Sequence, residues 1–120
     1  MPKNISPHVA IYKFPITAVS SIATRISGFY MSGLYVAGGT ACLFGINPIE
    51  KYNKTEGFAK TIANYAIITP SIYHSFGGIR HFIWDKYPQL LTNAQVARSS
   101  YFIFGATAIS SFLLEKCLKK

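Results

Sequence analysis

Hydrophobic residues fall into long runs that are separated by short polar connections. The runs cover about residues 22–46, 62–84 and 99–118, and each is close to the roughly 20 residues that an α-helix needs to cross the hydrocarbon core of a bilayer. This pattern predicts an all-α membrane protein with three transmembrane helices, built as a single domain over residues 1–120. The stretch before the first run contains Pro2, Pro7 and Pro15, and it is predicted to lie along the membrane surface as an amino-terminal surface segment.

Small residues and one proline modify these predicted helices. The second run contains Pro70, which removes one backbone hydrogen bond and is predicted to bend the helix near its middle. Small residues let helices approach closely inside lipid. The first run is rich in them and contains Gly28, Gly33, Gly38 and Gly39.

Composition and charge support a membrane protein. Half of the residues are hydrophobic and 13% are charged, whereas soluble domains have about 25% charged residues. The net charge of +8 comes from scattered Lys and Arg residues rather than from a basic stripe, so nucleic-acid binding is not expected. Membrane lipid with anionic headgroups is the simpler partner. The basic residues divide equally between the two sides that three spans would create, so the positive-inside rule gives no orientation.

Residues 73–85 carry ionisable side chains within the second apolar run. His74, His81 and Asp85 are spaced by seven and four residues, which places them on one face of a helix. Gly77 and Gly78 lie on or beside that face, where the lack of side chains would admit a flat group. Ionisable groups inside a membrane span cost several kcal/mol each and normally face a partner, a cofactor or water. The segment is therefore predicted to be a functional site.

His74 could act as a haem ligand, a proton relay or an interhelical hydrogen-bonding group. The nearby glycines favour haem, since a porphyrin needs a helix face without bulky side chains. His74 and His81 lie about 10 Å apart along one helix at ~1.5 Å per residue, so they cannot both bind the same iron. If haem is bound with two histidines, this chain supplies one ligand and another chain supplies the second.

Two further groups of polar residues could serve the same site. Arg80 and His81 could pair with haem propionates, although Arg80 could instead extend to the membrane interface. Ser21 and Arg25 are four residues apart at the start of the first run, on the membrane side predicted to hold His81 and Asp85. A hydroxyl and a guanidinium there could hold a quinone carbonyl and stabilise its reduced, anionic form. Helix capping by Ser20 or Ser21 is the alternative.

These residues together resemble the cytochrome b large membrane-anchor subunit of succinate dehydrogenase (respiratory complex II). The resemblance covers nearly the whole chain, with the spans in the expected order. Its motifs are Ser6-Pro7-His8, Ile11-Tyr12, Ser21-Ile22 followed by Arg25 and Gly28, and His74 followed by Gly78-Ile79-Arg80-His81 and Asp85.

The resemblance implies a role for each of these side chains. By position, His74 is similar to the axial ligand of haem b, with the second ligand coming from a small membrane-anchor subunit. His81 and Arg80 would lie by the haem propionates, whereas Ser21, Arg25 and Asp85 would belong to the ubiquinone site. The other implied partners are a flavoprotein subunit and an iron–sulfur subunit. The implied location is the mitochondrial inner membrane or a bacterial plasma membrane, with the amino terminus on the matrix or cytoplasmic side.

One residue departs from the family pattern, and two other functions remain open. The family usually has histidine directly before the arginine of the first span, and this chain has Thr24, so that histidine's contact with propionate or quinone is missing. The second hypothesis is a haem-free structural anchor in which His74 only hydrogen-bonds between helices. The third is a proton-conducting transporter subunit that uses His74, Arg80 and Asp85 as a relay.

Overall fold

Helices make up the whole regular structure of residues 13–119, which are the residues that the computed structural model describes. No β-strand occurs in this range, so the predicted all-α class is confirmed. Four α-helices are joined by short connections, and a single turn of 3-10 helix lies between the last two. Their bounds are α1 Ile16–Leu43, α2 Pro48–Lys54, α3 Gly57–Lys86, the 3-10 turn Pro88–Leu90, and α4 Asn93–Leu118.

Helix α1 begins and ends earlier than the first apolar run. Pro15 stands at its amino-terminal boundary in an extended conformation and has no side-chain cap. At the other end, the backbone N–H of Ile46 donates to Ala41 O over 3.0 Å, and Gly45 takes a positive φ of 75°. The backbone N–H of Gly45 also donates to Cys42 O over 3.0 Å. A helix end closed by these two hydrogen bonds needs a residue that tolerates the left-handed conformation, and glycine does so without steric cost. Gly45 therefore ends the helix at Leu43 inside the apolar run.

A short helix turns the chain between α1 and α3. The side chain of Asn47 accepts hydrogen bonds from the backbone N–H groups of Ile49 and Glu50 and so caps α2. Helix α2 bends away from α1 by 104°. The hydroxyl of Tyr52 then donates to the buried side chain of Asn64. This contact ties the turn to the first part of α3.

The long helices α1, α3 and α4 all contact one another, and their interior is small and polar. Tyr73 and Ile103 are the buried hydrophobic residues of the described range. Large apolar side chains instead face outward, as in Phe29 with 85% of its surface exposed and Phe82 with 80%. Such a distribution is unusual for a protein in water and suits helices that pack through small residues within lipid. The buried polar side chains are Ser20, Ser27, Asn64, Arg80, Ser100, Thr107, Ser111 and Glu115.

The helices differ in how closely they match a membrane span. Within residues 13–119, α4 is long and apolar enough by itself, and α1 with α2 meets the same criterion as a bent pair. Helix α3 does not meet it, because polar residues such as Asn64, His74 and Arg80 interrupt its apolar sequence. Three long helices are thus present, while three membrane-spanning helices stay a prediction. Helix α3 continues through Pro70 without a break in its helical assignment. Most of the predicted amino-terminal surface segment lies outside the described residues.

Candidate functional site

The imidazole of His74 joins α3 to α1 through its Nδ1 atom. Nδ1 lies 3.1 Å from the backbone oxygen of Thr24 and 3.3 Å from Ser27 Oγ. A carbonyl oxygen can only accept, so Nδ1 carries the proton. Ser27 Oγ also donates to the Thr24 oxygen over 2.8 Å, which leaves its lone pairs for Nδ1. In neutral imidazole this arrangement puts the free lone pair on Nε2.

Gly28 makes room for this ring. A Cβ atom at residue 28 would lie 2.6 Å from Cε1 and 3.1 Å from Nδ1 of His74. Contacts this short do not occur between real carbon atoms, so any side chain at this position would displace the imidazole. The glycine is therefore a condition for the hydrogen bonds that orient His74.

The two glycines after His74 have different surroundings. A Cβ atom at Gly77 would lie 3.0 Å from Cγ2 of Thr24, whereas one at Gly78 would have no atom within 4 Å. Gly77 consequently belongs to the contact between α1 and α3. Gly78 is the glycine that leaves open space beside the histidines. Of the two glycines predicted to leave a flat helix face, Gly78 is uncovered and Gly77 is covered by Thr24 of α1.

His81 and Asp85 are exposed on the outer side of α3. Together with Gly78 and Phe82 they line an open depression of about 400 Å³. The ring of His81 packs edge-on against Trp84, with 5.5 Å between the ring centroids. His81 and Asp85, which were predicted to share a helix face, thus line the same depression on α3.

Ser21 and Arg25 lie on α1, but they do not join this depression. Ser21 is half-buried and Arg25 is exposed. Neither makes an ion pair or a side-chain hydrogen bond within residues 13–119, and neither lines the depression of His81 and Asp85. Of the predicted quinone-site residues, only Asp85 therefore lines this depression. The capping alternative for Ser20 and Ser21 is wrong, because α1 begins at Ile16 and both serines follow its first turn.

Arg80 points into the bundle rather than along the histidine face. Its guanidinium donates to Ser100 Oγ over 3.0 Å and to Ser20 Oγ over 3.1 Å, and 7% of the residue surface is exposed. It also stacks over Trp84, with 4.6 Å between the guanidinium carbon and the ring centroid. Arg80 is thus buried between the helices, whereas His81, which also packs on Trp84, is exposed on the outer face of α3.

Ser20 and Ser100 were not among the predicted site residues. Ser20 Oγ lies 3.1 Å from the hydroxyl of Tyr73, so one serine links the guanidinium of Arg80 to a buried tyrosine. A signal for these serines exists in the sequence. Small polar residues recur at helical spacing on the inner faces of α1 and α4, namely Ser20 and Ser27, and Ser100, Thr107 and Ser111.

Taken together, this fold and site define a small helical membrane protein with an oriented histidine between two helices. The comparison with known proteins identifies the family to which this chain belongs. Residues 1–114 match the family described as the succinate dehydrogenase/fumarate reductase transmembrane subunit. The chain belongs to this family, which confirms the resemblance that its motifs indicated.

Individual relatives carry the same assignment. The chain is 32% identical over 111 residues to the mitochondrial succinate dehydrogenase cytochrome b560 subunit of Dictyostelium discoideum, covering 88% of this chain and 57% of the relative. It is 28% identical to the Caenorhabditis briggsae subunit of the same name, over 100% of this chain and 70% of that one. It is 29% identical to the Sus scrofa subunit of the same name, over 91% of this chain and 68% of that one. The matches thus span 57% to 70% of the length of these relatives.

Proposed function

We propose that this chain is the cytochrome b membrane-anchor subunit of a succinate:ubiquinone oxidoreductase and supplies one axial ligand to haem b. The observation that carries the proposal is the orientation of His74. Its Nδ1–H is held by the Thr24 oxygen, which leaves the lone pair of Nε2 free, and the side chain of His74 is exposed one helical turn before the uncovered Gly78. An oriented, neutral imidazole is the form in which histidine binds metals.

The residues present fit a haem group on this side of α3. His74 would bind the iron through Nε2, and His81 would reach a propionate from the same helix face. When bound, haem b supplies a group that accepts and donates single electrons. The hydrogen bonds of Thr24 and Ser27 keep the imidazole from turning, and Gly28 lets it lie against α1. A small membrane-anchor subunit would supply the second ligand, because the spacing of His74 and His81 does not allow both to bind one iron.

Ser21, Arg25 and Asp85 are the proposed quinone-site residues of this chain. Each has a side chain that is exposed or half-buried and makes no ion pair within the described range, so its polar atoms are available to a ligand or a partner subunit. The hydroxyl of Ser21 and the guanidinium of Arg25 would donate hydrogen bonds to a quinone carbonyl oxygen. Asp85 would lie at the edge facing the iron–sulfur subunit. The site is therefore completed by partner subunits rather than by this chain alone.

The proposed partners are the small anchor, the iron–sulfur subunit and the flavoprotein subunit, in a mitochondrial inner membrane with the amino terminus on the matrix side. Two observations support this assembly. The relatives are named as mitochondrial succinate dehydrogenase subunits. Many large apolar side chains also face outward, and some of them would contact the second anchor while others contact lipid.

A haem-free anchor is the second candidate, and one observation favours it. His74 already makes hydrogen bonds between α3 and α1, so it has a structural role without any cofactor. The proton-relay hypothesis has less support, because Arg80 turns towards Ser20 and Ser100 and away from the face of His74 and Asp85.

Optical spectra of the purified complex separate the two candidates. In the haem-binding case, the dithionite-reduced wild-type complex has a b-type α band, and the band is lost in His74→Ala. The control is Ser75→Ala, since Ser75 is an exposed neighbour that bonds only to the Ser71 oxygen. Flavin content measured in parallel reports assembly. A band that survives His74→Ala at normal flavin content would overturn the ligand assignment.

A further inference from the structure

Arg80 is a buried cation without a counter-charge in its own chain. The chain has four acidic side chains, all of them within the described residues: Glu50, Glu56, Asp85 and Glu115. No carboxylate oxygen lies within 4.0 Å of the guanidinium, and the ion pairs that do form join Glu50 to Lys54 and Glu115 to Lys119. The partners of Arg80 are neutral hydroxyls. A buried charge is normally compensated by an opposite charge, so a negative group from outside the chain is expected here.

A cavity of about 310 Å³ lies beside Arg80, between α3 and α4. Its walls are mainly apolar and include Ile79, Ile83, Trp84 and Phe102. Arg80 lines the cavity, and its Nε atom is buried without a hydrogen-bond partner in the described part of the chain. The volume falls within the range of about 300–1,000 Å³ that is usual for small-molecule sites. The cavity thus combines an apolar surface with one unsatisfied cationic donor.

The mouth of this cavity opens onto the outer surface of the bundle, where large apolar side chains are exposed. Ile79, Ile83 and Phe102 line it and are 56%, 46% and 74% exposed. Arg80 lies six residues before the end of α3 at Lys86, or about 9 Å along the axis at 1.5 Å per residue. That depth is close to the headgroup region of a bilayer.

We propose that the α3–α4 cavity binds an acidic phospholipid. The phosphate contacts the guanidinium of Arg80, and one acyl chain lies along Ile79, Ile83 and Phe102. The lipid supplies the missing counter-charge, satisfies the free Nε–H and fills the apolar cavity. Charge-assisted bonds between guanidinium and phosphate are among the stronger hydrogen bonds in proteins.

The same guanidinium could in principle receive a haem propionate, and the geometry argues against this source. At 3.6 residues per turn, Arg80 is rotated by about 120° from His74 on α3, whereas His81 is rotated by only about 20°. Both hydroxyl partners of Arg80 belong to the inner faces of α1 and α4. Lipid is therefore the proposed anion, and propionate binding is an outcome that the experiment must be able to detect.

The test counts lipids bound to the assembled complex. The complex is incubated with phosphatidylcholine and phosphatidylglycerol, washed in detergent, and the retained phosphatidylglycerol is quantified by mass spectrometry. We expect Arg80→Gln to retain about fivefold less phosphatidylglycerol or lower still, because a charged hydrogen-bonding partner is removed. Arg98→Gln is the matched control, since it removes an exposed charge at the same end of the bundle and should retain the lipid.

A second variant keeps the test decisive if Arg80→Gln fails to assemble. Ser99 lines the cavity, and its hydroxyl bonds only to the Val96 oxygen, so Ser99→Leu fills the space and leaves the partners of Arg80 in place. It should also lose phosphatidylglycerol, with an unchanged reduced spectrum. Normal lipid retention in either Ser99→Leu or Arg80→Gln would overturn the proposal, and a shifted haem spectrum in Arg80→Gln would then identify a haem propionate as the anion. The lipid count needs neither haem nor quinone, so it is independent of the proposed function.

Discussion

The Nδ1 atom of His74 lies 3.1 Å from the backbone oxygen of Thr24, fifty residues earlier in the chain. Thr24 is the position at which the sequence resemblance leads one to expect a histidine, and here it acts through its backbone. Its methyl group packs at Gly77, and its hydroxyl donates to the Ser20 oxygen over 3.0 Å. The contact that orients His74 is therefore compatible with a side chain other than histidine at residue 24.

Gly28→Ala should impair the histidine site while leaving the fold intact. The new methyl group would lie 2.6 Å from Cε1 of His74, and the imidazole would have to turn away from the Thr24 oxygen. Loss of such an orienting bond typically lowers metal affinity by about 10-fold to 100-fold. We expect a comparable loss of haem per flavin, measured by pyridine haemochrome. Gly33→Ala is the control, as nothing lies within 4 Å of that position; equal losses in both variants would contradict the prediction.

Gly77→Ala should weaken the contact between α1 and α3. The added Cβ would lie 3.0 Å from Cγ2 of Thr24, and overpacking of this kind costs about 1–3 kcal/mol. We expect a lower temperature of thermal dissociation for the purified complex. Adding Thr24→Ala should restore it, because the crowding atoms are removed.

Gly78→Ala provides the contrast for that experiment. Within the described chain its Cβ meets no atom within 4 Å, so the temperature of dissociation should stay unchanged. Haem content should fall nevertheless, since the methyl group occupies the open surface beside His74. A stability loss equal to that of Gly77→Ala would show that the two glycines do not have separate roles.

Ser20→Ala should destabilise the bundle through Arg80. The substitution removes the oxygen that lies 3.1 Å from Nη2 of Arg80 and 3.1 Å from the hydroxyl of Tyr73. A buried donor left unsatisfied costs about 1–3 kcal/mol. Thermal dissociation of the complex measures the loss. Ser32→Ala should have little effect, because Ser32 is exposed and bonds only to the Gly28 oxygen of its own helix.

Ser21→Ala and Arg25→Ala should slow quinone reduction selectively. Each removes a proposed donor to the quinone carbonyl, and one hydrogen bond to a charged group contributes about 1.5–3 kcal/mol, so we expect roughly a tenfold rise or more in KM for quinone with Arg25→Ala. Succinate oxidation with an artificial dye should persist in both variants. Ser21→Thr keeps the hydroxyl and serves as the control. Unchanged quinone kinetics in both alanine variants would refute the assignment.

Much of the architecture follows from local sequence. The long apolar runs, the glycine at residue 45 that ends α1, and the capping side chain of Asn47 all act over a few residues, so they can be interpreted without tertiary information. The spacing of His74, His81 and Asp85 likewise defines a shared helix face, because the rotation per residue is constant. The family motifs are likewise short patterns of neighbouring residues, which is why the chain could be assigned from its sequence.

Only the packing of the helices decided what each face meets. The spacing predicts that Arg80 and His74 lie on different faces of α3. It does not predict that the guanidinium bonds to Ser20 and Ser100 rather than to a cofactor. In the same way, Gly77 and Gly78 are adjacent and chemically identical, and the crossing of α1 places Thr24 against one of them. Contacts between residues twenty to sixty positions apart depend on the register and crossing of whole helices, which no local pattern encodes. The sequence therefore determines the elements and the candidate residues, while the tertiary structure decides their partners.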